Sequence, residues 1–130
     1  MTYEYNARVV RWIDGDTVEL DVDLGLRIRF QDHFRLDGID TPERGSIGYL
    51  PAKMRAAQLA PPGRSVLIQT TKSDKYGRYL AAIWTEGGPT VNHSLVEEGF
   101  AKPYYGGKKD VAVAVATVTP NGVTTELDYA

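Results

Sequence analysis

"YNARVVRWIDGDTVELDVDLGLRIRF", residues 5–30, is the stretch on which the fold class turns. Residues 5–13 form a short, largely apolar run that ends in Asp14-Gly15-Asp16-Thr17, and Asp-Gly is a favoured pair for a tight hairpin turn. Past the turn, Val18, Leu20, Val22 and Leu24 alternate with Glu19, Asp21 and Asp23, the period-two pattern of a strand buried on one face. Gly25 interrupts the alternation, and "LRIRF" at 26–30 resumes it toward "HFRLDGI". The stretch therefore predicts a three-strand meander with a glycine bend.

Working outward, Pro51 suits the first turn of a short helix, with Leu50, Met54 and Ala57 spaced to share one face, and "APPG" at 60–63 stops it. "RSVLIQT" (64–70) and "YLAAIW" (79–84) read as strands on either side of the loop "SDKYGR" (73–78). "TVNHSLVEEG" (90–99) offers Thr90 as N-cap and Gly99 just past the C-terminus of a second short helix. Three strands, a helix, two strands and a helix is the order of a mainly β (α+β), five-stranded OB-fold barrel with two short helices, whose rolled sheet lets distant residues converge on one face. That domain is expected over residues 1–107. Residues 108–130, with "VAVAVATVTPNGVTTELDYA" at their end, are expected to form a hairpin or extended tail and not a separate domain. Both faces of "VAVAVA" are apolar, so the tail is buried, paired with another chain or exposed as a sticky segment.

A length of 130 residues with 42% hydrophobic content fits one domain with a modest core. The absence of cysteine excludes a disulfide framework and a thiolate metal site, so any metal must be held by oxygen or histidine. No run approaches the roughly 20 apolar residues of a membrane span, and the opening residues lack the basic-then-apolar pattern of a secretion signal. A cytoplasmic product, or a mature form whose signal was removed, is the expectation. A net charge of −2 argues against a general nucleic-acid coat but leaves room for a local basic patch.

The chemistry-bearing residues gather in "RLDGIDTPER" (35–44) and around the Asp-Gly turn. Asp16 and Asp40 can hold a hard divalent cation, Ca²⁺ or Mg²⁺, if the fold brings them together, with Asp14 as a spare acid nearby. Glu43, beyond a rigid proline, can take a proton from a water. Arg35 and Arg78 are planar forks suited to phosphate oxygens. Together these make a set for phosphodiester hydrolysis, in which fixed positive groups meet charge as it develops. Each member has a plainer reading: Asp-Gly as a turn only, Thr-Pro-Glu as a helix start, Arg35 in a surface ion pair, "DKYGR" as a polar turn.

In order and spacing, "DGDTV" (14–18), "RLDGIDTPE" (35–43), "DKYGR" (74–78), "LA" (80–81), "VNHSLVEEGFA" (91–101) and Tyr105 resemble the staphylococcal nuclease, or thermonuclease, family over about residues 7–105. The resemblance implies an OB-fold, Ca²⁺-dependent endonuclease that acts on DNA and RNA and leaves 3′-phosphate ends. It implies carboxylate ligation by Asp16 and Asp40, carbonyl ligation by Thr41, water activation by Glu43 and phosphate clamping by Arg35 and Arg78. Lys75, Tyr76 and Tyr105 resemble the residues that contact the nucleotide's terminal phosphate and base. The chain departs from the family pattern in a shorter segment between Glu43 and Tyr76, in the Val-Ala tail that stands in place of a C-terminal helix, and in its acidic charge. That tail either supplies packing or recruits a second copy as a homo-oligomer. The alternative reading is a non-catalytic OB-fold module that binds nucleic acid or protein. His33, His93, Asn92, Trp12 and Trp84 are expected to be structural, Asn92 as a buried hydrogen-bonding residue at the start of the second helix.

Overall fold

A computed structural model describes residues 3–73, 77–104, 113–119 and 122–128, with side chains for 3–71 and 77–104. Five strands close a barrel in the order β1-β2-β3-β6-β5: β1 (Tyr3–Asp14), β2 (Thr17–Asp23), β3 (Arg29–Leu36), β5 (Ser65–Ser73) and β6 (Tyr79–Trp84). All neighbours are antiparallel except β3 and β6, which run parallel. Helix α1 (Tyr49–Leu59) lies between β3 and β5 in sequence, and α2 (Val91–Glu97) follows β6. The two-residue strands β4 (Ile39–Asp40) and β7 (Lys102–Pro103) pair with each other. The expected barrel with two short helices is the observed one. In the tail, β8 (Val113–Thr119) and β9 (Gly122–Asp128) form an antiparallel hairpin about the Pro-Asn-Gly stretch.

The barrel interior follows the alternation where the strands are regular. Val18, Leu20 and Val22 of β2 are buried with Phe34 and Leu36 of β3, Val66 and Ile68 of β5, and Ala81 and Ile83 of β6. In β1 the alternation resets. Val9 faces Leu20 and Arg11 faces Glu19, so Val10 is an extra residue, and the bulge turns Trp12 inward. Buried Trp12 donates its Nε1–H to the carbonyl of Ala60, at 2.8 Å, tying β1 to the end of α1.

Two expectations about local structure are corrected. Residues 26–28 do not continue a strand: Leu24 N–H donates to Ile28 O at 2.9 Å and Ile28 N–H to Gly25 O at 2.8 Å, closing a turn in which Leu26 and Arg27 adopt φ of 55° and 64°. Asp23 holds this turn by accepting from Gly25 N–H. Leu50, Met54 and Ala57 also do not share one inward face, since of the three only Ala57 packs against the core. Leu50 and Met54 are 61% and 59% exposed, whereas Tyr49, Ala52 and Ala56 are buried. The helix runs so close to the β1–β2 turn that only small side chains fit beneath it. A Cβ on Gly15 would stand 3.0 Å from both Ala52 Cβ and Thr41 Cγ2. Helix α2 is capped as its sequence predicts, Thr90 Oγ1 accepting from His93 N–H at 3.0 Å and Gly99 following at φ 85°.

Candidate functional site

Three short segments build the site. The β1–β2 turn carries Asp16, the end of β3 carries Arg35, and the Asp37-Gly38 turn returns the chain through Asp40 and Thr41. Their mutual placement is set by backbone bonds: Leu36 N–H donates to Asp16 O at 2.8 Å, Thr17 lies opposite Arg35, and Asp37 N–H donates to Ala81 O at 2.9 Å. Gly38 takes φ 77°, the left-handed value that lets the strand reverse at once. Asn92 then locks the reversal from α2. Its Nδ2 donates to Asp37 O and Ala81 O, both at 2.9 Å, and its Oδ1 accepts from Ile83 N–H at 3.2 Å.

Asp16 and Asp40, 24 positions apart, meet on one guanidinium. Arg35 Nη1 lies 2.6 Å from Asp16 Oδ2, a close ion pair whose N–H is not aligned as a hydrogen bond, and Nη2 lies 3.3 Å from Asp40 Oδ1. The Arg35 and Asp16 side chains are only 13% and 11% exposed, so their attraction is far less screened than that of a surface pair. The plainer expectation of a surface ion pair for Arg35 therefore does not describe it. Asp16 is oriented further by Thr41 N–H, donating to Oδ2 at 3.0 Å, and by Thr17 Oγ1, donating to Oδ1 at 3.3 Å. Arg78 reaches the same point, its Nη1 standing 3.5 Å from Thr17 Oγ1. Glu43 is exposed on the segment just beyond Thr41, which is not helical. Ser46 pins its carbonyl through N–H at 3.0 Å and Oγ at 2.6 Å. Thr-Pro-Glu is thus not a helix start.

The donors suit a hard cation. Among the described residues no three His, Cys, Asp or Glu side chains gather as one group, so beside Asp16 and Asp40 any further ligand from these residues must be a neutral oxygen. Thr41 supplies candidates, because its carbonyl sits next to Asp40 and its Oγ1 is buried without a hydrogen-bond partner among the described residues. Lys75, Tyr76 and Tyr105 lie outside the described residues.

Three features were not singled out from the sequence. Tyr104, not a residue of the motif set, places its ring 5.9 Å from Arg35 Cζ, and its N–H donates to Gly38 O at 2.8 Å. Asp14 is engaged by Tyr49, whose hydroxyl lies 2.8 Å from Asp14 Oδ1 and 3.0 Å from Ile13 O. Arg44, beside Glu43, stands over the Tyr49 ring at 5.7 Å, with Nη2 3.7 Å from Asp14. Contact with Tyr49, then the charge of Asp14, hold the Arg44 guanidinium above its ordinary pKa. An Arg directly after a candidate base was a signal, but its partner is set by tertiary contact. Of the residues read as structural, Asn92 is the buried hydrogen-bonding residue just described, whereas the two histidines meet glutamates: His33 Nε2 is 3.7 Å from Glu19 and His93 Nε2 is 2.9 Å from Glu97.

A family model described as staphylococcal nuclease homologue matches residues 33–114. An uncharacterized endonuclease of Escherichia coli O157:H7 is 34% identical over 103 residues, covering 78% of this chain and 62% of that protein. The thermonuclease of Staphylococcus hyicus is 32% identical over 106 residues, covering 76% of this chain and 59% of its own. Endonuclease YhcR of Bacillus subtilis is 32% identical over 111 residues, which are 78% of this chain and 9% of the larger protein. The chain spans about three fifths of the length of the first two relatives. With the barrel, the motif order and more than half of the chain matched, this protein belongs to the staphylococcal nuclease family.

Proposed function

We propose that the chain is a metal-dependent endonuclease that hydrolyses phosphodiester bonds of DNA and RNA, with Ca²⁺ as its ion and 3′-phosphate ends as its product. The observation that carries this reading is the meeting of Asp16 and Asp40 on Arg35, next to Thr17 and Arg78. Phosphoryl transfer asks a protein mainly for positioning and for positive charge where negative charge develops. Asp16, Asp40 and Thr41 are the residues that would hold the ion, which when bound supplies positive charge beside the phosphate. Arg35 and Arg78 present guanidinium forks to the phosphate oxygens, on which charge builds as water adds. Glu43, exposed at the edge of the site, takes the proton of the attacking water as its oxygen bonds to phosphorus and the bond to the 5′ oxygen breaks. Tyr104 and the Asp37-Gly38 turn steady Arg35 from behind. Lys75, Tyr76 and Tyr105 are proposed contacts to the nucleotide on the strength of the family motifs.

The test is cleavage of single-stranded DNA and of RNA by the full chain in Ca²⁺, in chelator, and with Glu43→Gln. The expected result is Ca²⁺-dependent cutting that falls by roughly 10² to 10⁴ in Glu43→Gln, the usual range for a lost general base. The fragments should resist polymerase extension until a phosphatase has removed the 3′-phosphate. Binding of nucleic acid without any cutting by the parent would instead establish the non-catalytic OB-fold module. Undiminished cutting by Glu43→Gln would overturn the assignment of the base.

A further inference from the structure

Helix α1 covers the barrel at the Gly15 end of β1, where Ala52 meets the turn; the other end is open. A cavity of about 540 Å³ lies there, walled by Tyr3 and Tyr5 of β1, Phe30 and Phe34 of β3, Tyr79 of β6 and Thr70 of β5. Tyr79 is the first β6 residue to pair with β3, opposite Phe34, and the two rings meet at this end of the barrel. The Tyr79 ring stands 5.9 Å from Phe34 and 5.8 Å from Phe30, while Tyr3 and Tyr5 stack at 6.4 Å. Among the described residues none that lines it is charged. Tyr79 and Tyr3 are 41% and 54% exposed and form the rim.

The cavity is continuous with the arginine centre through the chain itself. Phe34 precedes Arg35, Tyr79 follows Arg78, and Phe34 pairs with Tyr79 as Arg35 pairs with Leu80. Successive side chains of a strand leave on opposite faces, so the same strand pair sends a guanidinium toward the acids and a ring into the mouth. Because Tyr79 follows Arg78 directly in the chain, Tyr79 is the rim residue nearest in sequence to a phosphate held by Arg35 and Arg78. The mouth, with aromatic faces and with threonine and tyrosine hydroxyls at its edges, suits a nucleobase. The volume is in the range of small-ligand sites and leaves room for a base. A base can enter only if it is out of its duplex stack, so the occupant belongs to a single strand or an unpaired nucleotide.

We propose that the open mouth of the barrel is a nucleobase subsite, which takes an unpaired base flanking the nucleotide at the Arg35–Arg78 centre and stacks it on Tyr79. The proposal rests on the reading of the chain as a nuclease and adds to it a base contact at the barrel mouth. The test uses the Glu43→Gln full chain with Ca²⁺, a labelled eight-nucleotide DNA strand, and a strand of equal length and charge made of abasic sites. Tyr79→Ala in that background should weaken binding of the base-bearing strand by roughly five- to hundred-fold, the span for losing one base–aromatic stack. Binding of the abasic strand should change by less than about twofold, and Tyr79→Phe should restore the parent affinity. Leu24→Trp, which fills the mouth from an exposed rim position, should reproduce the loss and serves if Tyr79→Ala does not fold. Equal weakening of both strands, or unchanged binding in both Tyr79→Ala and Leu24→Trp, overturns the subsite. Cleavage by the parent is measured on the same preparation. A parent that does not cut refutes the nuclease reading, whereas a parent that cuts, with variants that bind normally, refutes the subsite alone.

Discussion

Replacing Asn92 tests how the site is held. Asn92→Ala removes two donated bonds, to Asp37 O and Ala81 O, and one accepted from Ile83 N–H. The losses are unequal. Ala81 O keeps the Asp37 N–H at 2.9 Å, and Asp37 O is only part-buried. Ile83 is fully buried, so its N–H is left without a partner. Two lost bonds at about 1 kcal/mol each, plus about 1–2 kcal/mol for the orphaned donor, give about 3–4 kcal/mol. For a domain of this size the melting temperature should fall by roughly 10–15 °C. Asn92→Asp keeps the acceptor for Ile83 N–H but turns an oxygen toward two carbonyls, and should cost at least as much. Guanidinium titrations followed by Trp12 and Trp84 fluorescence, at unchanged m-value, give the difference directly. If both variants stay within about 1 kcal/mol of the parent, the three-bond lock is not what secures the Asp37-Gly38 turn, and the account of how Arg35 and Asp40 are brought together is wrong.

Tyr49→Phe removes the hydroxyl shared by Asp14 and Ile13 O, and should lower stability by about 1–2 kcal/mol, since one of its partners is charged. It should also lower the cleavage rate more than substrate affinity, because Arg44 and the neighbouring Glu43 lose a fixed support; an equal change in kcat and KM would contradict this. Glu98 is held below the ordinary carboxylate value mainly by its hydrogen bonds to Arg55, at 2.7 and 3.1 Å, which join α2 to α1. A folded-state value below the unfolded one means the pair stabilises fully above the ordinary value and loses its effect as pH falls through the folded one. The stability gap between parent and Glu98→Gln should therefore close as pH falls from the ordinary carboxylate value through the lowered folded-state one, and a gap independent of pH would exclude the pair as its source.

What was legible came from local pattern. Period-two alternation in 18–23 reported β2 because one face of that strand is buried and the other pairs Glu19 with Arg11 and Asp21 with Arg29. Thr90 and Gly99 marked the ends of α2 because capping needs particular side chains within one turn. What was misread depended on distant contacts. The inner side of α1 carries Tyr49, Ala52 and Ala56 rather than Leu50 and Met54, and at Ala52 the close approach of Gly15 selects a small residue.

The sequence by itself determined the order of strands and helices along the chain and the residue types available for chemistry, since alternation, turns and motif spacing act over a few neighbouring positions. Only the tertiary structure decided that Asp16 and Asp40 share Arg35, that Tyr104 lies against that guanidinium, and that β3 and β6 pair in parallel with Phe34 opposite Tyr79. Those outcomes depend on bulges, strand closure and register between segments far apart in the chain, for which a linear pattern carries no term.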